Sequence, residues 1–141
     1  MKPIPFDPDS DLAPTPFDQR TLSLAYDLKN AGLKWQPHVG CFAWDRERYI
    51  HPDSPFPNNV YFILSLPRFI DLFGTRASIA QKMVWIPTWH QARLLCKKIG
   101  ITDASIAAMW QRGKELPVDD DVCGLYELLI ENYNSFSPRL Y

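Results

Sequence analysis

The sequence predicts a single α+β domain in which a small antiparallel sheet of two to three strands packs against four to six helices. Three observations lead to this prediction. The 141 residues are enough for one domain with its own apolar core. Apolar residues recur at helical spacing in several segments that end at glycine, and short β-branched or aromatic runs lie between proline-rich loops. No repeat and no linker divides the chain.

The domain is expected to span residues 18–135, preceded by a proline-rich N-terminal arm over residues 1–17 and followed by a tail over residues 136–141. The arm carries five prolines and no apolar period, so it should run extended over the surface with Phe6 and Phe17 as anchors. The first helix follows the arm. Its apolar residues, from Leu22 onward, recur at three-residue steps, and a glycine stands where the helix should end.

Strands are expected in the middle of the chain. The stretches LKWQPHVGCFAWD and RYIH predict a hairpin of two short strands around residues 45–47. After the proline-rich PDSPFPNN, the run VYFILS is typical of a buried central strand, because it is continuously apolar, aromatic and β-branched. LPRFIDLFG then predicts a short helix that starts near Pro67, buries residues including Leu72, and stops at Gly74. Thr75 can cap another helix through Met83.

The strongest helix signal lies in VWIPTWHQARLLCKKIGI. Thr88 and Gln91 have the spacing of a capping box, in which each side chain bonds a backbone N–H that the helix would otherwise leave unpaired. Apolar residues, beginning with Trp89, repeat at three and four, lysines fall in the last turn, and Gly100 closes the helix. Further helices are predicted over about 103–111, ended by Gly113, and from Val122 to Tyr133.

Composition and charge restrict the function. An odd number of cysteines without a signal-peptide pattern indicates a reducing cytoplasm, and no apolar run approaches the ~20 residues of a membrane span. Fifteen Lys and Arg against sixteen Asp and Glu give a net charge of -1, which disfavours nucleic acid as a partner. No metal and no cofactor are expected, because the H-x-x-C pair of His38 and Cys41 lacks a second pair of ligands.

A small enzyme with a Cys/His site is the third function considered. Cys41 could act as a nucleophile with His38, His51 or His90 as its base and Asp45 as the orienting acid. The chain has no glycine-rich phosphate loop and no nucleophile elbow, so a non-catalytic protein is favoured. Cys41 is then expected to be strand core.

DNA binding is the alternative function. The stretch ARLLCKKIGITDASIAAM resembles the helix-turn-helix of DNA-binding regulators, with helices at about 88–99 and 103–111. Its small Cys96 and Gly100 would let two helices approach closely around a short turn. The resemblance implies DNA contacts from Arg93, Ser105, Gln111, Arg112 and Lys114. Between Thr102 and Ala108 the second helix offers no Arg, Lys or Asn for base edges, and Asp103 would repel phosphate.

A second resemblance covers about residues 20–133. The stretches AYDLKNAGLKWQP, CFAWD, DSPFPNNVYFIL and WIPTWHQARLL together resemble a group of small bacterial or prophage-associated proteins of unknown function. The likeness lies in the layout of the segments. It implies a single domain and transfers no catalytic or binding residue.

The aromatic content is the main positive sign of function. Aromatic residues make up 13% of the chain, more than a core of this size needs, and they concentrate at interaction surfaces as well as in cores. We therefore expect a non-catalytic binding protein whose aromatic surface takes a protein partner or a second copy of the chain. The residues expected to form this surface are Trp35, His38, Trp85, Trp89 and His90. Burial of all five tryptophans in the core is the competing interpretation.

Overall fold

The computed structural model describes residues 5–7, 9–112 and 121–136, and within them it confirms the α+β class. The strands are β1 (Phe42–Trp44), β2 (Val60–Phe62) and β3 (Val84–Ile86). The α-helices are α1 (Gln19–Asn30), α2 (Leu66–Phe73), α3 (Arg76–Lys82), α4 (Trp89–Lys98), α5 (Asp103–Arg112) and α6 (Asp121–Phe136). No helix in this described part of the chain is long and apolar enough to cross a bilayer. The helix end predicted at Gly113 and the predicted tail after Phe136 lie outside the described residues.

Helix α1 forms where the apolar spacing predicts it. The Asp18 side chain caps it by accepting a hydrogen bond from the backbone N–H of Thr21 at 2.8 Å. Leu22 and Leu28 are buried on one face, which packs against α6 and β3. Gly32 follows the helix with a φ of 107°, a conformation that glycine adopts without steric strain.

The segment before α1 is attached to the core by aromatic rings. The Phe6 and Phe17 ring centroids are 5.9 Å apart in an edge-to-face arrangement, and Phe17 is only 7% exposed. The backbone N–H of Phe6 also donates to the carbonyl of Pro55 at 2.8 Å. These two phenylalanines therefore serve as the anchors expected of them.

The sheet has the order β2-β1-β3, which corrects two predictions about its strands. Ala43 at the centre of β1 lies opposite Tyr61 on one side and Trp85 on the other, both antiparallel. The VYFILS run is therefore an edge strand, not the central one, and Phe62 is 37% exposed. The sequence patterns do not predict β3, because the three residues before Pro87 are too few to show a period.

The hairpin predicted between the CFAW strand and residues 48–51 is wrong. The buried Asp45 carboxylate accepts hydrogen bonds from the backbone N–H groups of Tyr49 at 2.9 Å and Ile50 at 2.8 Å. Arg48, directly before Tyr49, adopts a positive φ of 57°. The side chain thus satisfies donors that a strand would offer to β1, and β1 already has a partner on each edge. The segment consequently folds as a loop.

Helices α2 and α3 confirm the predictions made from proline, glycine and threonine. Gly74 ends α2 with a φ of 92°, and Thr75 caps α3 through its hydroxyl. Phe69 and Phe73 are buried as predicted. The burial predicted for Leu72 is wrong, since this residue is 58% exposed on the outer side of α2, which packs against α3.

Helix α4 has the predicted capping box. The Thr88 hydroxyl accepts from the Gln91 N–H at 3.2 Å, and the Gln91 side chain accepts from the Thr88 N–H at 3.0 Å. Leu95 and Cys96 are buried on the predicted stripe. Trp89 was expected on the same stripe, but it lies in the first turn and is 39% exposed.

Helix α6 fills the centre of the helical layer, where it packs against both α1 and α4. Leu125, Tyr126 and Leu129 are completely buried. The Tyr126 hydroxyl donates a hydrogen bond to the carbonyl oxygen of Pro87, at the corner that joins β3 to α4. The helix therefore holds together elements that are distant in the chain.

Candidate binding cleft

A concave site of about 700 Å³ lies between α1, the segment that follows it, α3 and β3. We call it the tryptophan cleft. Its lining residues are Ala25, Lys29, Gly32, Leu33, Lys34, Trp35, Gln36, Pro37, Arg76, Ala77, Ala80, Gln81, Met83 and Trp85. Small-molecule sites usually enclose about 300–1,000 Å³ and are mostly apolar with a few polar groups. The cleft has both the size and the composition of such a site.

Two stacked indole rings form one wall of the cleft. Trp35 and Trp85 lie with their ring centroids 6.0 Å apart and their planes at 9°. Trp35 comes from the irregular segment after α1, and Trp85 is the middle residue of β3, opposite the small Ala43 of β1. The two rings are 8% and 5% exposed, so they form a recessed surface and not a protruding one.

Three cationic side chains line the same cleft. The Lys29 ammonium donates to the carbonyl oxygens of Gln81 at 2.6 Å and Met83 at 2.9 Å. The Arg76 guanidinium donates through Nε to the carbonyl oxygen of Pro37 at 2.6 Å. Lys34 is exposed at the edge. Two of the three cations are therefore held in place by the backbone around the cleft.

No acid among the described residues neutralises the charge of the cleft. No lining residue is acidic, and within the described residues Lys29, Lys34 and Arg76 form no ion pair with a carboxylate. Burial lowers the pKa of Lys29, because its charged form loses hydration. The cleft is thus a positively charged, largely apolar cavity in a chain whose net charge is -1.

The structure divides the five residues predicted to form a binding surface. Trp35 and Trp85 come together in the cleft. Trp89 and His90 lie in the first turn of α4, outside the lining residues, where the Arg93 guanidinium is 5.5 Å from the Trp89 ring centre and 3.5 Å from His90 Nδ1. The cationic lining residues are absent from the predicted set, because α1 and α3 are far apart in sequence and no local pattern indicates that they meet.

His38 and Cys41 are brought together, as a Cys/His site would require. The Cys41 sulfur lies 3.5 Å from both ring nitrogens of His38, and His38 Nδ1 lies 3.0 Å from the Gln36 carbonyl oxygen. Burial raises the pKa of the Cys41 thiol, and the nearby Trp35 indole, the His38 backbone and the Arg76 charge offset this only in part. Because a nucleophile needs the thiolate, the raised pKa of Cys41 disfavours this role.

Other features of the Cys/His hypothesis are missing from the described residues. The Trp35 indole Nε1 has no hydrogen-bond partner among the described residues, although it lies close enough to Cys41 to lower the pKa of the thiol. His51 is exposed. No three His, Cys, Asp or Glu side chains of the described residues come together as a metal site would require. Cys41 itself is fully buried beside the first residue of β1, as expected of strand core.

We expect all three thiols to be slow toward an aromatic disulfide reagent in the native protein just above neutral pH. Cys41, Cys96 and Cys123 are buried thiols, and burial raises the pKa of Cys96 from 9.0 to about 11. Spectrophotometric titration should count three thiols only after unfolding in urea. Rapid reaction of one equivalent of thiol with the reagent below neutral pH, lost in Cys41→Ser, would instead support a reactive Cys41.

The free energy of unfolding should fall between pH 9.0 and about 11, because in this range the Cys96 thiol ionises in the unfolded chain while burial keeps it protonated in the folded protein.

The α4–α5 pair has the glycine turn of the predicted helix-turn-helix. Gly100 adopts a φ of 89°, and the Thr102 hydroxyl accepts from the Ser105 N–H at 3.1 Å. Arg93 and Lys97 each lie 3.3 Å from the Asp103 carboxylate. Two basic groups of the pair are therefore already matched by an acid that would repel phosphate. The side chains of Gln111 and Arg112, and all of Lys114, lie outside the described residues.

The chain matches no protein-family model, no curated protein and no solved structure. The resemblances to small prophage-associated proteins and to the helix-turn-helix therefore stay predictions. The functional assignment depends on the geometry of the cleft.

Proposed function

We propose that this protein is a non-catalytic binding protein that holds a small organic molecule in the tryptophan cleft. The observation that carries the proposal is the pair of stacked indoles, Trp35 and Trp85, on the wall of a cavity of about 700 Å³. Aromatic walls with a few polar groups are typical of small-molecule sites. A cytoplasmic location belongs to the same proposal, and it is supported by three cysteines that are thiols and not disulfides.

The shape of the site favours a small molecule over the protein partner or second copy expected from the sequence. Trp35 and Trp85 are almost completely buried, so a flat protein surface would reach little of either ring. A protein partner would instead meet exposed apolar side chains such as Trp89 and Leu94 on α4, at 39% and 43% exposure. Scattered exposed residues of this kind are normal on monomeric proteins and do not by themselves indicate a partner.

The lining supports binding without chemistry. None of the described residues that line the cleft is a serine, threonine, cysteine, histidine or acid, and the ammonium of Lys29, which donates to two backbone carbonyls, is held as a cation. The lysines and the arginine supply charge, and the glutamines supply amide groups. These side chains suit recognition of a ligand.

The proposal is tested by titrating the protein with a library of small aromatic compounds and following the indole N–H signals in proton–nitrogen correlation spectra. Single Trp→Phe variants assign the five indole signals. We expect bound compounds to shift the Trp35 and Trp85 signals and to raise Tm. Ala77→Phe, an exposed residue of α3 in the lining, should block the cleft. Ala107→Phe, an exposed alanine of α5 outside the lining, is the matched control and should retain binding.

Two results would contradict this function. One is the absence of any compound that moves the Trp35 and Trp85 signals. The other is a response confined to Trp89 that Ala77→Phe does not alter, and its dependence on protein concentration would point to self-association through α4.

A further inference from the structure

The tryptophan cleft carries more positive charge than binding of an apolar ligand needs. Among the described residues that line it, three are cations and none is an acid, whereas the chain as a whole carries slightly more acidic than basic groups. Protein surfaces normally intersperse charges of both signs, so a cavity lined by charges of one sign departs from the usual pattern. A cavity with one sign of charge concentrates ligands of the opposite sign.

Two of these cations are positioned before any ligand arrives. Lys29 uses two of its three N–H donors on the Gln81 and Met83 carbonyls, which leaves one donor for a ligand. Toward the described residues, Arg76 donates a hydrogen bond only from Nε, to the Pro37 carbonyl, so its two terminal NH₂ groups keep their donors for a ligand. Because the backbone holds both side chains, binding an anion here loses less side-chain entropy than binding one to free surface lysines.

We infer that the ligand of the cleft is a small organic oxyanion whose flat apolar body lies against Trp35 and Trp85 and whose carboxylate or phosphate group is bound by Lys29 and Arg76. This inference rests on the proposed function and names its ligand class. Arginine binds either group in a planar, two-point arrangement, and a charged hydrogen bond is roughly twice as strong as a neutral one.

The state of Lys29 supports the same ligand class. Burial removes water from this ammonium and lowers its pKa, and no carboxylate within the described residues compensates. A bound oxyanion would supply the missing counter-charge. A cationic ligand would add repulsion to the same site.

The test compares four naphthalene compounds that share one apolar body: 2-naphthoate, 2-naphthyl phosphate, 2-naphthamide and 2-naphthylmethylammonium. Each is titrated into the wild-type chain, and the Trp35 and Trp85 indole signals give its Kd. We expect at least one of the two anions to bind about tenfold or more tightly than the amide, and the ammonium to bind weakest. The ratio between the two anions tells which of a carboxylate and a phosphate the cleft prefers.

Variants separate the role of the cations from general charge. Arg76→Gln and Lys29→Gln should each raise the Kd of the preferred anion by about tenfold while leaving the Kd of the amide nearly unchanged. Arg68→Gln, an exposed arginine of α2 outside the lining, is the control and should leave all four Kd values as they are. Since Lys29 and Arg76 both also bond to the backbone, unchanged binding of the amide is the control that each variant leaves the cleft intact.

The failures of the two proposals are distinguishable. If the amide or the ammonium binds as tightly as the anions, or if Arg76→Gln and Arg68→Gln behave alike, the oxyanion inference is wrong while binding in the cleft still stands. If none of the four compounds moves the Trp35 and Trp85 signals, the oxyanion inference fails, and the wider aromatic library then decides whether the proposed function fails with it.

Discussion

Replacing Tyr126 with alanine is expected to lower the free energy of unfolding by about 3–5 kcal/mol, the range found when a buried aromatic ring is truncated. Tyr126 is completely buried in α6, and its hydroxyl donates to the Pro87 carbonyl. The substitution would open a cavity between α6 and its neighbours and leave that carbonyl without its donor. Urea denaturation followed by far-ultraviolet circular dichroism measures the change.

A second variant separates the contribution of the Tyr126 ring from that of its hydroxyl, and a third variant serves as a control. Tyr126→Phe keeps the ring and should cost about 1–3 kcal/mol, because only the Pro87 carbonyl loses its partner. Leu94→Ala, at a residue of α4 that is 43% exposed, should change stability by at most about 0.5 kcal/mol. A loss below about 1 kcal/mol for Tyr126→Ala would mean that α6 is not docked as described.

Replacing Asp45 with alanine should cost about 2–4 kcal/mol, although it removes little apolar surface. The Asp45 carboxylate is 1% exposed and accepts from the backbone N–H groups of Tyr49 and Ile50. Without it, two part-buried donors have no partner, and each unsatisfied group costs about 1–3 kcal/mol. The free energy of unfolding should be measured together with hydrogen exchange at these two amides.

The conservative variant of Asp45 should have a smaller effect. Asp45→Asn keeps one carbonyl oxygen that can accept one of the two bonds, so its loss of stability should be about half that of Asp45→Ala. Asp53→Ala, at an exposed acid after the same loop, is the control and should have almost no effect. Equal stability of all three variants would contradict the role given to this carboxylate.

Helices were predictable from the sequence because their signals are local. Thr88 and Gln91 form the capping box that their spacing indicates, and Thr75 caps α3 as expected. A cap, a stripe and a terminal glycine all lie within a few residues of one another, so one segment contains the information. Its apolar spacing places Trp89 on the buried stripe of α4, but Trp89 is exposed because the first turn of a helix has fewer neighbours than its middle.

Strand pairing was less predictable because it depends on residues far apart. The segment RYIH has β-forming residues, yet the Asp45 side chain satisfies its backbone donors and makes it a loop. β3 has only three residues and becomes a strand through its pairing with β1. Whether a short segment becomes a strand is decided by its tertiary partners more than by its own sequence.

The candidate site was half predictable for the same reason. The aromatic excess directed attention to Trp35 and Trp85, which do line the cleft. Lys29 and Arg76 look like ordinary surface cations in the sequence, and only the packing of α1 near α3 and β3 brings them to one cavity. A pattern read along one segment cannot find a site whose parts come from separate segments.

The position of β1 between β2 and β3 has a consequence for how the protein folds. Residues 45–59 separate β1 from one neighbour, and residues 45–83 separate it from the other. Closing the larger of these two loops carries the greater entropic penalty, and it is this closure that pairs Trp85 with Ala43 of β1. We therefore expect the tryptophan cleft to form late in folding, after the local helical contacts, because its walls come from segments that are far apart in the chain.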